Sequence, residues 1–392
     1  MSKINRRDFI KQASVLPIIG AASTKASYPT KMQYRTLGKR TGLRVSEIGF
    51  GGYPINDPDV LSYAIDHGIN YIDTAPDYRD GKSEMIIGSI MKKRRDEVVL
   101  ASKWHPWRNT EKKEILDSLD QSLKRLQTDH LDIIFVHQVG RTSGGEGKER
   151  LDNPYIYEAF NEAKSAGKVK HLGVSAHDGD LIDVMVHALK IDLFDVILCK
   201  YSFLDYPKQN ELFQVAQEKG VGVVAMKSLA GARGENISKF QSGDTTYRQA
   251  ALKWVLSNPN VSNLIISINT IKEVDEYVAS AGNTLKKTDL RMLKDYENLY
   301  AQEVCRFCNE CEPTCPNNKP IADILRYSMY FNEYHEEARA IAEIKKRNIG
   351  SSECLNCDAP CEDKCPYNVE IKKMLIRAQK TFEPYYLHDI LS

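Results

Sequence analysis

Eight short apolar segments, each four to seven residues long and each followed by a helical periodicity, constrain this chain of 392 residues more than any other feature. They are Glu47–Gly51, Asn70–Asp73, Val98–Lys103, Leu131–His137, Val169–Ser175, Val196–Tyr201, Gly222–Lys227 and Asn263–Ile268. Their near-continuous Val/Ile character is that of parallel strands buried on both faces. Between them run amphipathic stretches such as Thr110–Leu126, which lines up Ile115, Leu119, Leu123 and Leu126 on one stripe. Pro154 and Pro207 sit near expected helix starts, where a missing N–H costs nothing. Eight strand–helix units in a row predict an α/β fold, a (β/α)8 barrel over residues 32–290. Ahead of the first unit, Tyr34–Gly38 and Arg44–Ser46 read as a hairpin turning at Lys39–Gly42.

A barrel of this kind keeps its chemistry at the carboxyl ends of its strands. There the chain places Asp73, Lys103 and His137, with Tyr78 in the loop that follows Asp73. An isolated phenol near pKa 10 donates a proton poorly at neutral pH, and a cation held by a carboxylate would favour its anion. Lys103, held by Asp73, is expected to do this for Tyr78, with His137 orienting a carbonyl or relaying the proton.

The stretch Asn70–Gly88, NYIDTAPDYRDGKSEMIIG, resembles the signature of the aldo/keto reductases, and Asp73, Tyr78, Lys103 and His137 look like that family's catalytic tetrad. The resemblance runs from about Tyr34 to Gly282. It implies the same barrel, with the hairpin as a plug for its floor. It also implies oxidoreductase activity on a small carbonyl or alcohol, sugar-like by family habit, and NAD(P) as the hydride carrier. By that resemblance the nucleotide would contact Ser175 and the loop residues Lys227, Ser228, Leu229 and Gly231. Some residues depart from the family pattern. The positions of the carboxamide-binding Asn and Gln are Ala176 and Leu198, and Ile266–Thr270 replaces the usual Ile-Pro-Gly run, with Lys272 the nearest cation. These departures count against nicotinamide binding.

Eight of the nine cysteines lie beyond the barrel. Cys305, Cys308, Cys311 and Cys315-Pro316 match the bacterial ferredoxin run for a [4Fe-4S] cluster. Cys354, Cys357, Cys361 and Cys365-Pro366 repeat it with one extra residue. Because the fourth cysteine of such a run serves the other cluster, one cluster is expected on Cys305, Cys308, Cys311 and Cys365, and the other on Cys354, Cys357, Cys361 and Cys315. Zinc is an alternative for paired C-x2-C motifs, and disulfides are a second one in an exported chain. Residues 298–380 thus read as a ferredoxin-type module with a helix over Ile321–Lys346 between the quartets. Cys199, left over on a strand, reads as a buried apolar residue.

Residues 1–30 carry Arg6-Arg7 ahead of Phe9, an apolar run Val15–Ala22, and small residues to Ala26, which resembles a twin-arginine export signal. Clusters are assembled before export, so a folded-protein route agrees with the cysteine runs. A net charge of +1 and 42% hydrophobic residues give no sign of nucleic-acid or membrane partners. The expected partners are a small-molecule substrate and a redox protein. The alternative is an electron-transfer protein whose barrel only docks a partner.

Overall fold

The computed structural model describes residues 32–105, 108, 110–140, 147–177, 179–204, 208–229, 237, 239–243, 245–332, 337–346 and 354–390. The export segment and Gly231 lie outside the described residues. Two floor strands, β1 (Tyr34–Thr36) and β2 (Arg44–Ser46), pair antiparallel with Tyr34 opposite Ser46. The expected turn between them is a short helix, Gly38–Thr41, closed by Gly42 at φ +64°. A helical turn lets Leu37 and Val45 pack against Tyr71, Ile133, Val196 and Val224 inside the barrel, closing its amino end.

Eight parallel strands close the barrel: β3 (Ile48–Gly51), β4 (Tyr71–Asp73), β5 (Val99–Trp104), β6 (Leu131–Val136), β7 (Val169–Ala176), β8 (Val196–Lys200), β9 (Gly222–Met226) and β12 (Asn263–Ser267). A small hairpin, β10 (Gln241–Ser242) with β11 (Thr245–Thr246), precedes the seventh barrel helix. Every expected strand is present within a residue or so at its ends, because a buried parallel strand leaves no polar face to blur its pattern. Alternation decides which side chains enter the lumen. Tyr71, Ala101, Ile133, Phe135, Leu198 and Val224 fill it, while Leu100, Trp104, Ile134, Val174 and Ala176 pack outward under the helices. Gly173 is required opposite Phe135, whose ring lies 2.4 Å from where a Cβ would be.

Beyond the barrel, helix Lys287–Tyr300 lies against Tyr247–Leu256 and buries the ion pair Lys253–Asp289 at 3.2 Å. The chain then returns to the carboxyl face. Arg306, almost fully buried, donates to the Leu204 carbonyl at 3.2 Å, and Lys200 donates to the Arg306 carbonyl at 3.3 Å. The single helix expected over Ile321–Lys346 is in fact two, Ile321–Asn332 and Glu337–Lys346. They pack on each other and on Ile371–Ile390 around Ile324, Leu325, Tyr327, Ala340, Ile344, Leu375 and Phe382. An unbroken helix of that length would leave this apolar face without a partner, whereas folding it back buries it.

Candidate active site

The cavity at the carboxyl end of the barrel has a volume of about 500 Å3. Its foot is built from strand ends. Asp73 ends β4, where its carbonyl accepts from Gly52 N at 2.8 Å. Thr74 and Ser83 share a hydrogen bond at 2.8 Å, and Ser83 donates to the Gly52 carbonyl at 2.7 Å, so the helix Lys82–Arg94 is pinned to two strands. Glu84 is fully buried, accepting from Ser102 at 2.6 Å and from Arg125 at 2.7 Å. Arg79, Asp80 and Gly81 all take positive φ, which turns the chain sharply between Tyr78 and that helix. The Ser-Glu pair of the signature therefore holds the loop that carries Tyr78.

Asp73, Tyr78, Lys103 and His137 all line this cavity. Lys103 lies in the lumen with its Nζ 2.5 Å from Asp73 Oδ1 and 2.7 Å from the Thr74 carbonyl. The same ammonium sits 4.8 Å from the centroid of the Tyr78 ring. His137 continues the β6 ladder through its N–H to the Trp104 carbonyl at 2.8 Å, and its ring meets that of Tyr78 edge-on at 6.0 Å. Burial raises the Asp73 carboxyl above its ordinary range against the pull of Lys103. Burial likewise takes His137 well below its ordinary value, so it is neutral near pH 7.

The expectation for Tyr78 is corrected here. Burial, then the carboxylates of Asp73 and Asp77, push its phenol well above 10, and the opposing cation is Arg339 rather than Lys103. Lys103 is neutralised by its contact with Asp73, so little net field reaches the phenol from the pair.

Three contributors were not foreseen from sequence: Asp77, His105, and the pair Tyr330 and Arg339. Asp77 lies 3.2 Å from His105 Nε2 and 3.8 Å from His137 Nδ1. Burial alone would raise Asp77, but the His105 hydrogen bond and the charges of His137 and Arg339 bring it well below the usual range. Because His137 is itself neutral near pH 7, the His105 bond and Arg339 carry that effect there. Tyr330 and Arg339 come from the two C-terminal helices and line the cavity from above. No local signal marked them, since about 190 residues or more separate them from Asp73, Lys103 and His137.

On the nucleotide side, Ser175, Lys227, Ser228 and Leu229 all line the cavity, with Gln138 beside them. Ser228 Oγ is buried with no partner among the described residues, so a hydrogen-bonding ligand fits that corner. Ser175 Oγ accepts from Gln138 N at 2.9 Å. Ala176 points outward into the barrel–helix core and Leu198 fills the lumen, so neither can offer a polar contact to a carboxamide. At the other end, Glu273 occupies the amides of Asn269 and Thr270 at 2.7 and 3.2 Å.

The cysteines form two groups. Cys305, Cys308, Cys311 and Cys365 line one small pocket. Cys315, Cys357 and Cys361 neighbour one another electrostatically, as do Cys315, Cys354 and Cys357. The halves repeat at an offset of fifty residues: Glu312 accepts from Ala322 N at 2.9 Å, and Glu362 from Lys372 N at 2.8 Å. Asn318 and Asn368 both adopt left-handed φ, three residues past the Cys-Pro cysteines. Amides of Phe307, Lys319, Ala359 and Val369 donate to Cys305, Cys315, Cys357 and Cys365 sulfurs at 3.3–3.4 Å. Burial pushes the Cys305 and Cys361 thiols up to about 11. All nine cysteines are free, so no disulfide joins any of them. Cys199 is buried on β8 and its thiol is raised by burial, as expected of an inert residue.

The first quartet adjoins the cavity. A Cβ at Gly179, past the end of β7, would lie 2.4 Å from the Phe307 carbonyl, and Arg326 bridges His177 at 3.1 Å and the Phe307 ring at 4.8 Å.

A closed parallel barrel with an acid, a lysine, a phenol and an imidazole converging on one cavity at its carboxyl end defines the class: a (β/α)8 barrel enzyme. The sequence profile of the Aldo/keto reductase family matches residues 48–239. The Bacillus subtilis "uncharacterized oxidoreductase YrpG" is 31% identical over 320 residues, 67% of this chain and 95% of that protein. L-galactose dehydrogenase of Arabidopsis thaliana is 26% identical over 289 residues, 64% of this chain and 88% of its own length. Among solved structures, an aldo/keto reductase from Klebsiella pneumoniae in complex with NADP and acetate is similar at TM-score 0.56 and 25% identity, covering 68% of this chain and 95% of that one. The holo form of the aldo-keto reductase AKR11C1 from Bacillus halodurans has TM-score 0.55 and 26% identity, covering 67% and 96%. The chain belongs to the aldo/keto reductase family, and it is an oxidoreductase.

Proposed function

We propose that the protein is an exported iron–sulfur aldo/keto reductase that interconverts a small carbonyl and its alcohol, with Tyr78 moving the proton. The observation that carries this is the placement of the Tyr78 ring over the buried Lys103–Asp73 pair, beside His137, at the foot of a cavity of about 500 Å3. In the reduction direction the raised phenol is fully protonated at neutral pH and holds the proton that the carbonyl oxygen takes up. As it leaves, Arg339 stabilises the phenolate, and solvent returns the proton afterwards. Neutral His137 orients the carbonyl oxygen without competing for a proton. Tyr330 and Arg339 exclude water from above.

A nicotinamide nucleotide, as in the NADP complex of the Klebsiella relative, would lie along Ser175, Lys227, Ser228 and Leu229, with Gly231 beyond them, and would supply or accept the hydride. The Ser228 hydroxyl, without a partner among the described residues, suits its phosphate side. Its carboxamide would have Ser175 and Gln138 in place of an Asn and a Gln.

We infer further that Cys305, Cys308, Cys311 and Cys365 hold one [4Fe-4S] cluster, and Cys354, Cys357, Cys361 and Cys315 the other. The amide donors to sulfur suit thiolates of a cluster. Such clusters supply one-electron transfer, so a redox protein is the expected partner. Arg6-Arg7 would direct export of the folded, loaded protein.

The test is Tyr78→Phe, assayed on a panel of carbonyls and alcohols with both nicotinamides and an artificial one-electron acceptor. Turnover should fall by about 10²–10⁴ with ligand affinity retained. Activity untouched by the substitution would show that Tyr78 does not carry the reaction.

A further inference from the structure

Asp77 and His105 have no part in the hydride scheme, and they meet His137, which orients the carbonyl in it, in one group. Among the described residues they form a trio of side chains whose ligand atoms all lie within 4.8 Å of one another. Two sides of the triangle measure 3.2 Å, Asp77 to His105, and 3.8 Å, Asp77 to His137. With those two sides and a third no longer than 4.8 Å, a point in their plane lies about 2.0–2.4 Å from all three atoms, a metal–nitrogen or metal–oxygen bond length. Both histidines are more than nine-tenths buried, and His137 Nδ1 has no hydrogen-bond partner among the described residues. The two imidazoles face each other with centroids 4.7 Å apart, an arrangement that leaves two buried ring nitrogens near one carboxylate oxygen. Leaving His137 Nδ1 buried and without a partner, as it is among the described residues, is costly unless something fills the gap.

We propose that Asp77, His105 and His137 form a binding site for a divalent first-row transition-metal ion in the floor of the active-site cavity. Two imidazoles and one carboxylate are the donor set that binds zinc or iron(II) while leaving coordination positions open. Asp77 and His137 line the cavity, so the open positions face the space where substrate sits. A ligand with adjacent hydroxyl and carbonyl oxygens would complete the coordination and place its carbonyl beside Tyr78. Two imidazole nitrogens suit zinc or iron(II), whereas calcium and magnesium take oxygen ligands. The site rests on the placement of His137 in the cavity floor, and metal binding there needs neither turnover nor the cysteine clusters.

The test is anaerobic titration of the full-length, cluster-loaded and chelator-washed protein with Zn2+ by calorimetry, followed by zinc-edge X-ray absorption of the complex. One saturable equivalent with nitrogen and oxygen neighbours is expected. Asp77→Asn and His105→Gln should each weaken it at least about tenfold, since even outer-shell partners of a metal are worth 10–100-fold. The visible spectrum of the clusters and the circular dichroism of each variant report that it is folded. If both variants lose these signals, the zinc-edge spectrum of the unaltered protein decides by itself. Absence of saturable binding would overturn the proposal and leave the trio as a hydrogen-bonded support for His137. Zinc with sulfur neighbours, or uptake unchanged in both folded variants, would overturn it equally by assigning the metal to the cysteines.

Discussion

Lys103→Met separates what the buried ion pair does for stability from what it does for chemistry. Lys103 and Asp73 are each 1% exposed and meet at 2.5 Å, so methionine leaves a carboxylate in the lumen with no counter-charge. Removing one partner of such a pair costs about 3–5 kcal/mol, and the Thr74 carbonyl, which accepts from the same ammonium at 2.7 Å, adds to the loss. At about 2–4 °C per kcal/mol for a barrel of this size, unfolding should move down by roughly 6–20 °C near neutral pH. The loss should depend on pH. Burial already raises the Asp73 carboxyl, and without the opposing lysine it rises further. A folded-state carboxyl that is raised binds more protons than the unfolded chain, so stability falls as pH climbs from about 4 through the folded pKa. The variant should therefore recover toward the parent at acid pH. Adding Asp73→Asn removes the stranded charge, and the double variant should regain most of the stability at pH 7 but none of the turnover. The assay is thermal unfolding from pH 5 to 9, followed by the fluorescence of Trp104, which is buried one residue from Lys103. A single variant as stable as the parent at every pH, or a double variant no better than the single, would refute the buried-charge argument.

Anaerobically purified protein should contain about eight irons per chain by metal analysis; zinc in their place, or about four irons, would reject the two-cluster assignment. Replacing Arg6 and Arg7 with lysine should retain the protein in the cytoplasm, and fractionation showing undiminished export would disprove the signal. Arg339→Met should shift the alkaline limb of the turnover–pH profile upward, because the cation it removes opposes the rise of the Tyr78 phenol; an unmoved limb would remove the C-terminal helices from the chemistry. Gly88→Ala should destabilise the barrel, because a Cβ there would come within 2.2 Å of the Arg125 carbonyl, where backbone cannot yield; denaturant unfolding measures it.

The eight strands were legible in the sequence, as were Asp73, Lys103 and His137 at strand ends and Tyr78 in the loop after Asp73, because each rests on local spacing. A buried parallel strand is continuously apolar whatever it packs against, and alternation along it decides which residues enter the lumen. That same alternation shows why the Ser175 position can reach a ligand and Ala176 cannot, which residue types alone do not reveal. What local pattern could not decide is electrostatic or long-range. Lys103 looked like the cation that tunes Tyr78, yet whether a cation acts outward depends on what touches it, and Asp73 at 2.5 Å absorbs its charge. The break between Ile321–Asn332 and Glu337–Lys346 depends on an apolar face finding its partner, and Arg339 reaches Tyr78 only because that fold-back lays it over the barrel mouth. Asp77 and His105 were ordinary loop and strand-end residues until closure of the barrel brought them to His137. Local spacing determined the elements. The field at the phenol and the meeting of distant side chains followed only from tertiary closure, because charge and contact depend on distance in space and not on separation along the chain.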